Sequence, residues 1–153
     1  MAESIEEMTT EERLGEFPNL SDGTYELKSE DTKYYNCVAW VVGITYKRID
    51  SYGYWWPEDL EATHTANSYA ELYKRYFGFE ICDNSDYEDG YDKIALYSDK
   101  NNLFTHATRR INNKCWTSKM GDYEDIEHYN LTSVGGGDYG KPTIFMKRKI
   151  IDK

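Results

Sequence analysis

Cys37, His106 and Ser118 are the residues whose types and spacing best suit covalent chemistry. A thiol attacks as its thiolate, and a helix N-terminus favours that form through partial positive charge and orphan N–H groups. In the run Asn36-Cys37-Val38-Ala39-Trp40-Val41-Val42-Gly43, Asn36 is a good N-cap and Gly43 a plausible stop, so the pattern predicts a buried helix with Cys37 in its first turn. With His106 as proton acceptor, Cys37 would attack an amide or ester carbonyl and form an acyl-enzyme. Backbone N–H groups at Cys37 would hold the oxyanion. The competing reading of Cys37 is a small buried hydrophobe.

His106 falls within a β pattern, alternating with Phe104 and Thr108 on one face and with Ala107 and Arg109 on the other. Folding the chain about Asn112 brings Ser118 across from His106, where its hydroxyl could hold one ring nitrogen and leave the other for the thiol. Thr117 and Lys119 stay open for that third place. Trp40, Trp55 and Trp56 are candidates to wall a cleft, with packing as the competing reading. Asn36 and Lys119 complete the candidate substrate-binding set. His128 is a competing base with a structural or rim position expected, His64 is expected to be exposed, and Cys82 and Cys115 read as packing.

The elements that must position these groups follow from periodicity. Tyr69, Leu72, Tyr73, Tyr76 and Phe77 recur at helical spacing within 66–79, and Gly78 closes that helix. Ile44 to Ile49 reads as a brief strand inside an irregular aromatic stretch, 44–62. From Lys93 the pattern turns to β, with strands expected at 93–97, 103–111, 114–119, 126–131 and 143–151. Asp22-Gly23, Asn112-Asn113 and Gly121-Asp122 mark turns or breaks. Gly135-Gly136-Gly137 lacks the following helix of a phosphate cradle. Helices first and an antiparallel meander after them give an α+β class. Residues 1–20, with a Thr-Glu helix start at Thr9 to Glu12, read as a lead-in segment, and 21–153 as a single domain.

The residues around the proposed pair resemble the NlpC-type branch of papain-like thiol hydrolases. That family sets its Cys at the start of a buried helix, its His on the second core strand, and a third polar residue about a dozen positions later. Asn36-Cys37-Val38-Ala39-Trp40 matches the helix start, Lys93-Ile94-Ala95-Leu96-Tyr97 the first core strand, and Thr105-His106-Ala107 the His strand. Ser118 falls at the third position, where His, Asn or Asp is usual, and Gly90-Tyr91-Asp92 stands in place of the Gly-Asp turn. Trp116-Thr117-Ser118-Lys119-Met120-Gly121, with Tyr139-Gly140 and Lys147-Arg148, is closer still to a small uncharacterised bacterial family, over roughly residues 34–149. The resemblance implies a papain-like cysteine hydrolase acting on a peptide, amide or other acyl substrate, without a cofactor.

Composition bounds the alternatives. The chain has 153 residues, enough for one core, and its fifteen tyrosines can supply buried area where Leu and Val are scarce. A net charge of −10 repels phosphate backbones and anionic membrane surfaces, so neither nucleic acid nor membrane is an expected partner. Met1 to Glu16 lacks an apolar signal core, and no apolar run reaches the roughly 18 residues of a spanning helix, which makes the cytoplasm the expected location. Three cysteines without a signal argue against a disulfide framework, and their spacing does not make a zinc site. The acidic run 83–92 lacks the sixth-place glycine and closing glutamate of a calcium loop. The same fold and acidic surface also suit a non-catalytic interaction module that binds or inhibits a protein. A metal site at His106, His128 and acidic neighbours is a third reading.

Overall fold

The computed structural model describes residues 25–27, 35–51, 54–113, 115–120, 125–128, 131 and 140–150. The 1–20 segment, the Asp22-Gly23 turn, the Gly121-Asp122 break and the 135–137 loop lie outside the described residues.

The chain is α+β. In order it forms β1 (Tyr25–Leu27), α1 (Cys37–Trp40), α2 (Ala66–Phe77), β2 (Glu80–Cys82), β3 (Tyr91–Ser98), β4 (Phe104–Arg110), β5 (Trp116–Lys119), β6 (Asp125–His128) and β7 (Lys141–Lys149). The strands make one seven-stranded sheet in the order β1-β6-β5-β4-β3-β7-β2. Every pairing within it is antiparallel.

The five strands read from the meander are β3 to β7, with ends moved by a few residues. The 44–49 stretch is not a strand; it makes only a single bridge, Ile49 to Trp55. β1 and β2 carry no period long enough to be seen in sequence, since each is three residues held by its neighbour.

α2 begins where Thr65 accepts a hydrogen bond from Ser68 N–H and ends at Gly78 in the left-handed region, φ 75°. Its stripe is narrower than the spacing suggests. Tyr69, Leu72 and Tyr73 are buried, but Tyr76 is exposed and its hydroxyl bonds the Asp59 carboxylate. Tyr73 donates to Val38 C=O at 3.0 Å, tying α2 to α1.

Both helices share one core with Leu96, Ile94, Ala107 and Met146. This defines the helical face of the sheet. Full burial of such a side chain contributes roughly 1.5–3 kcal/mol of transfer free energy. The middle strands are buried on both sides: β3 from Lys93 to Ser98 and all of β5 are closed to solvent, as expected of strands covered on two faces rather than one.

A β-bulge sets which β4 side chains face which way. Tyr97 pairs with His106, but Ser98 pairs with Phe104, so Thr105 is the extra residue. Phe104 is thereby turned onto the helical face, where its ring stacks on Tyr69 at 3.8 Å. His106 is left on the opposite face. Simple alternation had placed Phe104 and His106 together, and the bulge is the reason they separate. At this same end of β3 Gly140, with φ 66°, lies so close to the Ser98 carbonyl that a Cβ would collide with it.

Candidate functional site

Asn36 does more than cap α1. Its Oδ1 accepts from Ala39 N–H and from Ile49 N–H, both at 3.2 Å, and its Nδ2 donates to Ile49 C=O at 2.8 Å. The side chain thus closes the helix start and clamps the loop that runs on to Asp50. With every polar atom engaged and the residue buried, Asn36 is a structural anchor rather than a substrate contact.

Cys37 is buried in the helical-face core. Burial pushes its thiol up to about 11; N–H from Ala107 opposes this and the Asp50 carboxylate adds to it. Lys119 acts the other way, from a position fully buried over the Tyr35 ring. At neutral pH the group is therefore a thiol. Helix α1 is only four residues long, and its first-turn field does not overcome desolvation.

His106 is fully buried, as are Thr108, Ser118 and His128. Residues 109 and 117 are paired, so Ser118 lies beside Thr108 and reaches His106 diagonally. Ser118 Oγ is 3.0 Å from His106 Nε2, 2.8 Å from His128 Nε2 and 2.8 Å from Thr108 Oγ1. Thr108 Oγ1 in turn donates to Thr117 C=O at 2.8 Å. One proton order satisfies this chain. Both imidazoles carry hydrogen on Nε2 and donate to Ser118, Ser118 donates to Thr108, and Thr108 donates to the backbone. Burial holds the His106 pKa well below the ordinary histidine value, and neighbouring His128 adds to the effect. His106 is therefore neutral in this arrangement.

The thiol and the imidazole do not meet. Cys37 packs with Ala107, whose side chain is on the helical face, and Trp40 of the same helix donates to Thr117 Oγ1 at 3.0 Å. His106 and Ser118 lie on the other face, where the His106 ring packs edge-on against Tyr97 at 5.3 Å and Tyr97 bonds Leu131 C=O. Strand alternation thus sets the Ala107 and Thr117 side chains, on which the Cys37 helix packs, on the face opposite His106 and Ser118, whereas the spacing in sequence expects Cys37 to face His106. The structure brings together His106 and Ser118 and keeps both from Cys37.

The other candidates divide. Trp40 stacks on Tyr35 at 5.5 Å, and Trp56 donates to Leu60 C=O while packing edge-on against Tyr69. Both are packing residues. Lys119 is buried beneath Tyr35 and offers no open binding surface. Trp55 alone of the three is exposed, at 41 %, with Tyr46 at 77 % and Tyr54 at 54 % in the same loop. Lys47 Nζ lies 3.9 Å from the Trp55 ring centre and Arg48 stacks over Tyr54 at 4.6 Å.

Residue-by-residue reading missed a second cluster. His64, at φ 66°, is half-buried rather than exposed, and its Nδ1 bonds Ser51 Oγ. Tyr69 OH donates to Asp50 Oδ1 at 3.2 Å and accepts from Ser51 N–H at 3.2 Å. Only tertiary packing of the loop on α2 gathers these residues, so no spacing signals them. No group of metal-ligating side chains able to hold an ion occurs among the described residues. No helix among them is long and apolar enough to cross a membrane.

A family model matches residues 26–147, which takes in every element from α1 to β6 and most of β7. The chain belongs to the DUF7689 family, a domain of unknown function. No curated protein and no solved structure matches this DUF7689 chain. The matched span covers both the Cys37 helix and the His106–Ser118 strands of the DUF7689 domain.

Proposed function

We propose that this domain acts by binding: a non-catalytic module on a papain-like scaffold that takes a protein partner through the loop bearing Tyr46, Tyr54 and Trp55. The observation that carries the non-catalytic half is the placement of Cys37 and His106 on opposite faces of the sheet. A thiol hydrolase needs base and nucleophile within hydrogen-bond reach, or one water apart. Here the thiol is raised to about 11 by burial, and the imidazole is committed to Ser118 on the far side.

The binding half rests on the loop. Exposed aromatic rings backed by Lys47 and Arg48 match residue types enriched at protein interfaces, where Tyr and Trp bury large area at low entropy cost and Arg adds hydrogen bonds. Lys47 and Arg48 already held over the Trp55 and Tyr54 rings leave less side-chain ordering to be done on binding, which lowers its cost. The acidic remainder of the surface keeps the chain soluble and selects against acidic partners.

The hydrolase expectation draws no support from this geometry, and one experiment separates the two. A photo-crosslinking residue is placed at Tyr46 and, as a control, at Tyr87, which is also exposed. In the producing cell the Tyr46 position yields a discrete crosslinked species that disappears with Trp55→Ala, and an active-site thiol probe fails to label Cys37 at neutral pH. Efficient labelling of Cys37, abolished by His106→Ala, overturns the proposal.

A further inference from the structure

Where β2 meets β7 and β3, a cavity of about 280 Å³ opens at the edge of the sheet. Cys82, Glu88, Lys93 and Lys147 all line it. Cys82 pairs with Phe145 of β7, and Lys93 with Lys147, so Cys82 and Lys93 project from the same sheet face. Lys93 is buried, 4 % exposed, with its Nζ 3.9 Å from Cys82 Sγ and 3.4 Å from Glu88 Oε1. Lys147 Nζ holds the same carboxylate at 3.3 Å. Cys82 is half-exposed and its thiol points to Asn84 C=O at 3.3 Å.

This is an unusual placement for an amine. Lysine ammonium groups are seldom buried, because the charge is strongly hydrated. Here the head group is kept beside a thiol that solvent reaches through the cavity. A cysteine attacks a hydroperoxide as its thiolate, and the sulfenic acid that results is itself an electrophile at sulfur.

We propose that Cys82 and Lys93 form an oxidation-sensitive pair that a hydroperoxide converts into a covalent sulfur–nitrogen cross-link. In the first step the Cys82 sulfur attacks a peroxide oxygen; the O–O bond breaks, and sulfenic acid forms with an alcohol, or with water when the oxidant is hydrogen peroxide. The sulfur is oxidised and the peroxide reduced. In the second step the Lys93 amine, having released its proton to solvent, attacks the sulfur. The S–O bond breaks, the hydroxyl leaves as water with a second proton from nitrogen, and an S–N bond remains. An excess of thiol reverses it by attack at sulfur. The cross-link would lock edge strand β2 to β3 across β7.

The test uses the full chain, treated with hydrogen peroxide and then mapped by mass without reductant. Expected is the tryptic peptide 76–100, uncut at Lys93 and lighter by two hydrogen atoms, returning to normal cleavage after dithiothreitol. Cys82→Ser, at a half-exposed edge position, abolishes it without threatening the fold. Lys93→Arg keeps the cation for Glu88 and also abolishes it. The proposal is overturned if peroxide leaves Lys93 cleavable, with Cys82 ending as a dimedone-trapped sulfenic acid, as sulfinic acid, or in a disulfide with Cys37 or Cys115.

Discussion

Thr117 and Ser118 are neighbours in β5 whose hydroxyls serve opposite faces of the sheet. Thr117 Oγ1 accepts from Trp40 Nε1 of the Cys37 helix, while Ser118 Oγ accepts from His106 Nε2, each across 3.0 Å. Strand alternation makes this unavoidable, because successive side chains point to opposite sides. A helix that packs over Thr117 cannot also reach an imidazole held by Ser118. What sequence spacing groups as one triad is therefore two buried structures: a helix cap with its thiol, and a polar network of two imidazoles and two hydroxyls.

That network should be sensitive at its centre. Ser118→Ala removes the acceptor shared by both imidazole N–H groups and the donor to Thr108 Oγ1. Leaving a buried polar group without its partner costs about 1–3 kcal/mol. Urea unfolding should show a lower midpoint with the same slope, and an unchanged midpoint would contradict the proton order given above.

Acid should destabilise the fold through His106. Its folded-state pKa is depressed by burial, and further by His128, whereas in the unfolded chain it titrates at about 6.5. Below that value the unfolded state binds more protons than the folded one, so stability is intact above it and falls as pH drops. Urea midpoints measured at about pH 7.5 and about pH 5 should differ, and His106→Gln should narrow the difference. A profile indifferent to His106→Gln would mean that another group governs the acid limb.

Asn36→Ala should cost more than a simple cap. It loses the Ala39 bond and both bonds to Ile49, and leaves buried backbone groups of Ile49 unmatched. A cap alone is worth about 1 kcal/mol, and unmatched buried groups add about 1–3 kcal/mol. Thermal unfolding checks the size of the loss; hydrogen exchange at Ile49 and Ala39 checks its location, because both amides should lose protection.

The sequence was most legible where one local signal decides the outcome. Asn36 before an apolar run made the α1 start readable, and the Tyr69–Leu72–Tyr73 spacing made α2 readable. The meander could be read because each of β3 to β7 has its own apolar run and turn. The faces of β4 could not. One extra residue at Thr105 turns Phe104 toward Tyr69 and away from His106, and a bulge has no signature in residue types. Register was illegible for a related reason. The loop after Arg110 sets Ser118 beside Thr108 rather than His106, a shift of two residues that preserves the face and so still lets Ser118 reach the imidazole. Ser51 and His64 were silent because only packing on α2 joins them.

The reactivity of Cys37 against pH tests the central claim most directly. Iodoacetamide alkylation of the folded chain is followed by mass at each of the three cysteines as pH is raised. Cys37 should react more slowly than Cys82 and Cys115 at neutral pH, with a midpoint near 11, and His106→Ala should leave that midpoint where it is. A midpoint well below the ordinary thiol value of about 8.5, shifting when His106 is replaced, would put a base beside the thiol and contradict the separation of the two residues across the sheet.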